Sequence, residues 1–205
     1  MKLLKSLLLS LLPQICLAQF RVTNLNKNSI PKSIHYEGNI INAARWTDGL
    51  GDHIVITTET GKVKSKSNHN YGEAALYAYH YAVKGGHMKL TWRVQDFVKD
   101  CELDLKANFI KNSFAVTDLD KNGKAEVWIM YETICTGDIS PSTMKIIMYE
   151  DEKKYAIRGK RKAKISATEY IGGEYTFDEA FKKAPKVFRQ YAINLWKTNI
   201  MQTWE

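Results

Sequence analysis

Proline is scarce in this chain, with four in 205 residues, and so is cysteine, with three. Four prolines and no repeating Gly-X-Y pattern exclude a collagen-like chain. A composition of 44% hydrophobic and 25% charged residues excludes intrinsic disorder. Long apolar runs are also missing. Leu7 to Leu12, interrupted by Ser10 and ended by Pro13, falls well short of the ~20 residues that cross a bilayer, and no later run is longer than a few residues. There is no Gly-x-Ser-x-Gly elbow and no Walker loop. The five histidines, His35, His53, His69, His80 and His87, show no helical zinc spacing. These absences leave an ordinary globular protein with no visible catalytic machinery and no membrane span.

The first eighteen residues read as a secretory signal. Lys2 and Lys5 form a positive start, Leu7 to Leu12 an apolar centre, and Cys16-Leu17-Ala18 a small-x-small cleavage site before Gln19. The alternative is an N-terminal core helix. Cys16 follows Ile15, where a lipid-attachment site wants a small residue, so a lipoprotein is not expected. The expectation is an exported chain, periplasmic, at the cell surface or secreted, with residues 19–205 folding as one β-rich domain. Cys101 and Cys135 are the cysteines left after cleavage, and an oxidising compartment allows them to pair.

Strand signals dominate the chain beyond residue 34. Ile54, Ile56 and Thr58 alternate with Val55 and Thr57 after a turn-forming Asp48-Gly49-Leu50-Gly51-Asp52. Tyr77, Tyr79 and Tyr81 share one face of a strand, with Ala78, His80 and Ala82 on the other. Gly85-Gly86 then supplies the positive φ of a two-residue hairpin. His80 and His87 flank that turn and are expected to face each other across it. More strand-like runs lie near 103–109, 113–117, 125–131, 144–150 and 154–158. The fold class is therefore mainly β (α+β), an antiparallel hairpin architecture closed by a C-terminal amphipathic helical segment, 176–203. In that segment Phe177, Phe181, Ala184, Phe188, Tyr191 and Leu195 fall at three- and four-residue intervals. Thr176 and Glu179 have capping-box spacing, and Pro185 should break the helix and open a second one.

One stretch carries recognisable chemistry. Asp118-Leu119-Asp120-Lys121-Asn122-Gly123-Lys124-Ala125-Glu126 places oxygen-bearing side chains at relative positions 1, 3, 5 and 9, with glycine at 6. Calcium wants six to eight oxygens at about 2.3–2.6 Å, and such a loop offers Asp118, Asp120, Asn122, the Lys124 carbonyl and Glu126. Position 12 is Ile129 where an EF-hand has a bidentate glutamate, and a strand rather than a helix comes next. The segment resembles instead the hairpin loops of integrin-type FG-GAP repeats. Asn122-Gly123 also reads as a bare hairpin turn. Residues 47–60 (TDGLGDHIVITTET) echo residues 117–133 (TDLDKNGKAEVWIMYET), each running Thr-Asp, glycine turn, apolar strand, Glu-Thr.

A wider likeness spans most of residues 40–160. Trp92, Asp96 to Cys101, TDLDKNGKAEV, Ser140-Pro141-Ser142, Met144-Lys145 and KYAIRG at 154–159 resemble a small secreted Bacteroidetes family labelled surface polysaccharide biosynthesis proteins. That resemblance implies a role in the cell envelope and brings no catalytic residues with it.

Charge gives a further pointer. The net charge is +8, and the run 153–164 concentrates Lys153, Lys154, Arg158, Lys160, Arg161, Lys162 and Lys164. Lys154, Arg158, Lys160, Arg161 and Lys162 are candidates for binding an anionic polysaccharide or an acidic envelope protein, or else form a solvated hairpin face. The export signal argues against nucleic acid as the partner. The expected function is a non-catalytic, calcium-stabilised envelope protein. The alternative is a periplasmic enzyme acting on surface glycans, its acids scattered along the chain.

Overall fold

Alternating apolar and polar side chains draw most of this chain into extended hairpins. The computed structural model describes residues 20–203, so the expected leader, 1–18, lies outside the described residues. Strands in chain order are β1 (Val22–Asn24), β2 (Asn39–Asp48), β3 (Gly51–Glu59), β4 (Val63–Lys64), β5 (Gly72–Lys84), β6 (His87–Cys101) and β7 (Asp104–Phe109). They continue as β8 (Ala115–Thr117), β9 (Glu126–Thr136), β10 (Thr143–Glu150), β11 (Lys153–Lys160), β12 (Lys162–Lys164), β13 (Tyr170–Gly172) and β14 (Tyr175–Phe177). Helices α1 (Glu179–Lys182) and α2 (Lys186–Asn199) close the chain. With 53% strand and 11% helix, the protein is mainly β.

Two six-stranded antiparallel sheets form. The first runs β1-β2-β3-β5 and then β4, with β6 on the other side of β5. The second runs β14-β11-β10-β9-β7, with β8 also on β9. The β5–β6 hairpin turns at Gly85 and Gly86, both at positive φ (58° and 78°), as its two-residue length demands. His80 pairs with Trp92 and His87 with Lys84, so His80 and His87 do not face each other as expected. A two-residue turn fixes the register and leaves His80 four positions deeper in the hairpin than Lys84.

Strand alternation sorts the side chains into three apolar layers. Between the sheets lie Ala44, Trp46, Val55, Leu76, Trp92 and Val94 from the first, and Phe109, Val127, Ile129, Tyr131, Ile147 and Tyr149 from the second. The outer face of the second sheet, with Trp128, Met130, Ile146, Met148, Tyr155 and Ile157, is covered by Phe181, Phe188, Ala192 and Trp196 of the helices. The outer face of the first sheet carries Tyr77, Tyr79 and Tyr81 under Ile30 and Ile34. Each sheet thus buries both faces over part of its area, which explains the near-continuous burial of Glu126 to Tyr131.

The expected helical segment, 176–203, is shorter at both ends. Thr176 and Phe177 belong to β14, paired to β11, and Asp178 is the cap, its carboxylate accepting from Phe181 N at 2.8 Å. Thr176 therefore takes no part in a capping box, because β14 holds it extended. Pro185 caps α2 rather than occupying its first turn. Beyond Asn199 the chain extends again, Met201 bridging to Lys162. Among the described residues no helix is long and apolar enough to cross a membrane.

Candidate functional site

The two echoing segments meet in space. Gly49, in the β2–β3 turn, donates its N–H to the Gly123 carbonyl at 2.7 Å. A Cβ at position 49 would stand 2.8 Å from that oxygen, so only glycine permits the approach. Asp48 completes the join. Its Oδ2 accepts from Ala125 N at 2.9 Å and Trp46 Nε1 at 3.1 Å, and its Oδ1 from Leu50 N at 2.7 Å. His53 Nε2 stands 3.1 Å from Oδ1. Burial alone would raise Asp48. The donors from Ala125, Leu50 and Trp46, with His53, outweigh it and hold the carboxyl below the usual range. An ionised carboxylate accepts only, so His53 Nε2 carries the proton.

The loop from Asp118 to Glu126 is shaped by its own side chains. Asp118 Oδ2 accepts from Gly123 N (3.2 Å), Asp120 Oδ1 from Asn122 N (3.2 Å), and Asn122 Oδ1 from Lys124 N (2.8 Å). Lys121 and Gly123 take positive φ, 58° and 80°, which curls the chain around the three acids. Ligand atoms of Asp118, Asp120 and Glu126 all lie within 4.8 Å of one another. Glu126 is wholly buried at 0% exposure. It accepts from Thr117 Oγ1 at 2.6 Å and from Leu119 N at 3.0 Å. Burial first, and then the Asp120 and Asp118 charges, push its carboxyl up to about 7 against those donors. Asp118 Oδ1 is buried with no hydrogen-bond partner. Asn122 aims its amide at Asp120 (3.1 Å) and at Glu150 of β10 (2.7 Å). Lys124 enters the loop through its backbone.

Beside this loop a cleft of about 590 Å³ opens between Phe20, Arg21 and Thr23, Arg45 to Gly49, Asp118 and Gly123. Behind it runs a ladder of rings on the inner face of the first sheet. Trp46 stacks on His53 (5.2 Å), His53 on His80 (5.1 Å), His80 on Trp92 (5.0 Å), and Trp92 on Tyr149 of the second sheet (4.2 Å). Burial, with the neighbouring His53, lowers His80 to about 3, so it stays neutral in the stack.

The remaining candidates divide. Cys101 and Cys135 stand at disulfide distance, Cα to Cα 5.9 Å, joining the end of β6 in one sheet to β9 in the other. Lys154, Arg158 and Lys160 sit on one face of β11 and are exposed. Arg161 does not join them. It is 7% exposed, pairs with Glu132 at 3.0 Å and donates to the Met201 carbonyl. Lys162 turns away as well, its Nζ 4.8 Å above the Tyr170 ring on β13. At Arg161 the chain leaves the second sheet, and β12 pairs with β13 in a separate two-stranded sheet, which composition alone does not reveal. Asp48 and His53 do not stand out in the sequence as site residues. For both a signal was present in the echo of residues 47–60, which holds Asp48 in its Thr-Asp and His53 at the start of its apolar strand.

Comparison with family models, curated proteins and solved structures finds no match to this chain.

Proposed function

We propose that the chain is a non-catalytic exported protein of the cell envelope, linked to surface polysaccharide biosynthesis or binding and stabilised by calcium in the 118–126 loop. One observation carries the metal reading: three carboxylates crowd within 4.8 Å, and Asp118 Oδ1 among them is buried without a partner. Buried charge of one sign needs a counter-charge. An all-oxygen donor set suits a hard cation. Asp118, Asp120, Asn122, the Lys124 carbonyl and Glu126 would hold it, and the cation would supply the counter-charge to the three acids. With no acidic residue at position 12, the affinity belongs to the range of extracellular modules, about 10⁻⁴–10⁻³ M.

Export is supported by the leader pattern of residues 1–18 and by the cysteine pair at disulfide distance. The envelope-glycan role is supported by the family resemblance and by the exposed cations of β11. The test is thermal unfolding of residues 19–205 with millimolar calcium against chelator, beside an Asp118→Ala/Asp120→Ala variant. A calcium-dependent rise that the variant lacks upholds the reading. No rise in either protein reduces the loop to a hairpin turn.

A second reading, a periplasmic enzyme acting on surface glycans, draws on a groove of about 510 Å³ that Glu59 and Glu132 both line. Burial raises Glu59, as a general acid requires. Yet Glu59 already accepts from Phe109 N (2.6 Å) and Asn108 Nδ2 (2.9 Å), tying β3 to β7, and Glu132 is held by Arg161 and Ser142. Structural duty accounts for both. Glycan cleavage that disappears in Glu59→Gln would restore the enzyme reading.

A further inference from the structure

Strand β6 is the last strand of its sheet, and the Trp92–Tyr149 stack sets it above β10. On the next strand outward, β11, the inner-face residue Ala156 is buried in the inter-sheet core, while Lys154, Arg158 and Lys160 on the same face are exposed. Antiparallel register lines up Tyr131, Lys145, Arg158 and Thr176 across β9, β10, β11 and β14. Lys145 and Arg158 are thus direct cross-strand neighbours, an arrangement of like charges that costs stability. Asp96 on β6 offsets half of it, accepting from Lys145 Nζ at 2.5 Å and from the Tyr131 hydroxyl. Arg158, Lys154 and Lys160 form no ion pair among the described residues. Partial burial, then the Arg158 charge, lowers the Lys154 ammonium, with Lys145 adding to the effect against Asp178 and Asp96.

These cations lie along one strand face. At ~3.4 Å per residue, Arg158 and Lys160 stand roughly 7 Å apart, and Lys154 roughly 14 Å from Arg158. A row of that length suits a linear polymer of negative charges better than a single small ion. Ammonium and guanidinium groups accept carboxylates, as the Lys145–Asp96 pair beside this row does. We propose that this face seats a linear polycarboxylate glycan, with Arg158 and Lys154 as its main contacts, Lys160 extending the track, and Asp96 as an internal stand-in for one of the polymer's carboxylates. The proposal rests on the envelope-glycan reading for its choice of polymer and is independent of the calcium loop.

The test is titration of the protein with hyaluronate, a polycarboxylate, and with uncharged dextran, at low ionic strength, with circular dichroism confirming that each variant is folded. Hyaluronate should bind and dextran should not. Lys154→Ala/Arg158→Ala should weaken binding by about tenfold, equivalent to ~1.4 kcal/mol. Asp96→Asn should tighten it by freeing Lys145. Lys186→Ala/Lys197→Ala, on the exposed side of α2, should change nothing, nor should addition of chelator, which separates this site from the metal reading. The proposal is overturned if the Lys154/Arg158 variant binds like the unaltered protein, or if the α2 variant loses as much. It is also overturned if anionic phospholipid vesicles bind and hyaluronate does not.

Discussion

Asp48 and Ala125, 77 positions apart in the chain, are joined by a 2.9 Å hydrogen bond from the Ala125 N–H to the Asp48 carboxylate. That carboxylate, 3% exposed, also holds Trp46, Leu50 and His53. It is the point where the β2–β3 turn of one sheet is fastened to the loop leading into β9 of the other. Asp48→Ala would leave a buried N–H, an indole and an imidazole unpaired, at about 1–3 kcal/mol each where water cannot replace the partner. The expected loss is about 3 kcal/mol in denaturant unfolding. A loss under about 1 kcal/mol would mean that the two loops hold together without it.

Glu126 makes the protein less stable as pH rises towards neutrality. Its folded-state value of about 7 lies above the ordinary 4.5, so between those limits the folded protein binds the proton that the unfolded chain has released. Its contribution is full below about pH 4.5 and is lost as pH rises through about 7. His80, lowered to about 3, acts oppositely, costing stability as pH falls below 6.5. Comparison with Glu126→Gln in chelator isolates the first effect. The variant's advantage in melting temperature should grow from pH 5 to pH 7.5 and then level off. An advantage constant across that range would contradict the assignment.

Arg161 belongs to stability rather than to ligand binding. Arg161→Ala strands the Glu132 carboxylate, 7% exposed, beside Ser142, and breaking a buried pair in this way costs about 3–5 kcal/mol. Urea unfolding should show that loss. Arg161→Ala/Glu132→Ala should recover part of it, since no charge is then left unpaired.

Cys101 and Cys135 close a loop across the two sheets, 34 positions long. The chain-entropy model puts such a bridge at about 3–4 kcal/mol. Alkylation without reductant should find neither thiol in the protein kept under oxidising conditions, and reduction should lower the melting temperature. Two reactive thiols in the native protein would mean that the bridge does not form.

Much of the fold was legible because period-two alternation is a local property. Tyr77, Tyr79 and Tyr81 against Ala78 and His80, the Gly85-Gly86 turn, and the runs that became β9, β10 and β11 all declared themselves without a partner. The helical stripe from Phe181 to Leu195 did the same, although Thr176 and Phe177 were drawn into β14 by pairing with β11, which no local pattern encodes. The Asp118–Glu126 loop was legible for a similar reason: its oxygen donors, glycine and turn lie within nine residues.

By itself, the sequence determined the mainly β class, the breakpoints at glycine and proline, and the acids at 118, 120 and 126 that the loop gathers. Tertiary structure alone decided that Asp48 would fasten two loops, that His53 and His80 would stack between tryptophans, and that Arg161 would be buried while Arg158 stays exposed. The reason is physical. Propensity and alternation act between neighbours in the chain, whereas burial, charge pairing and strand register depend on which distant segment arrives opposite.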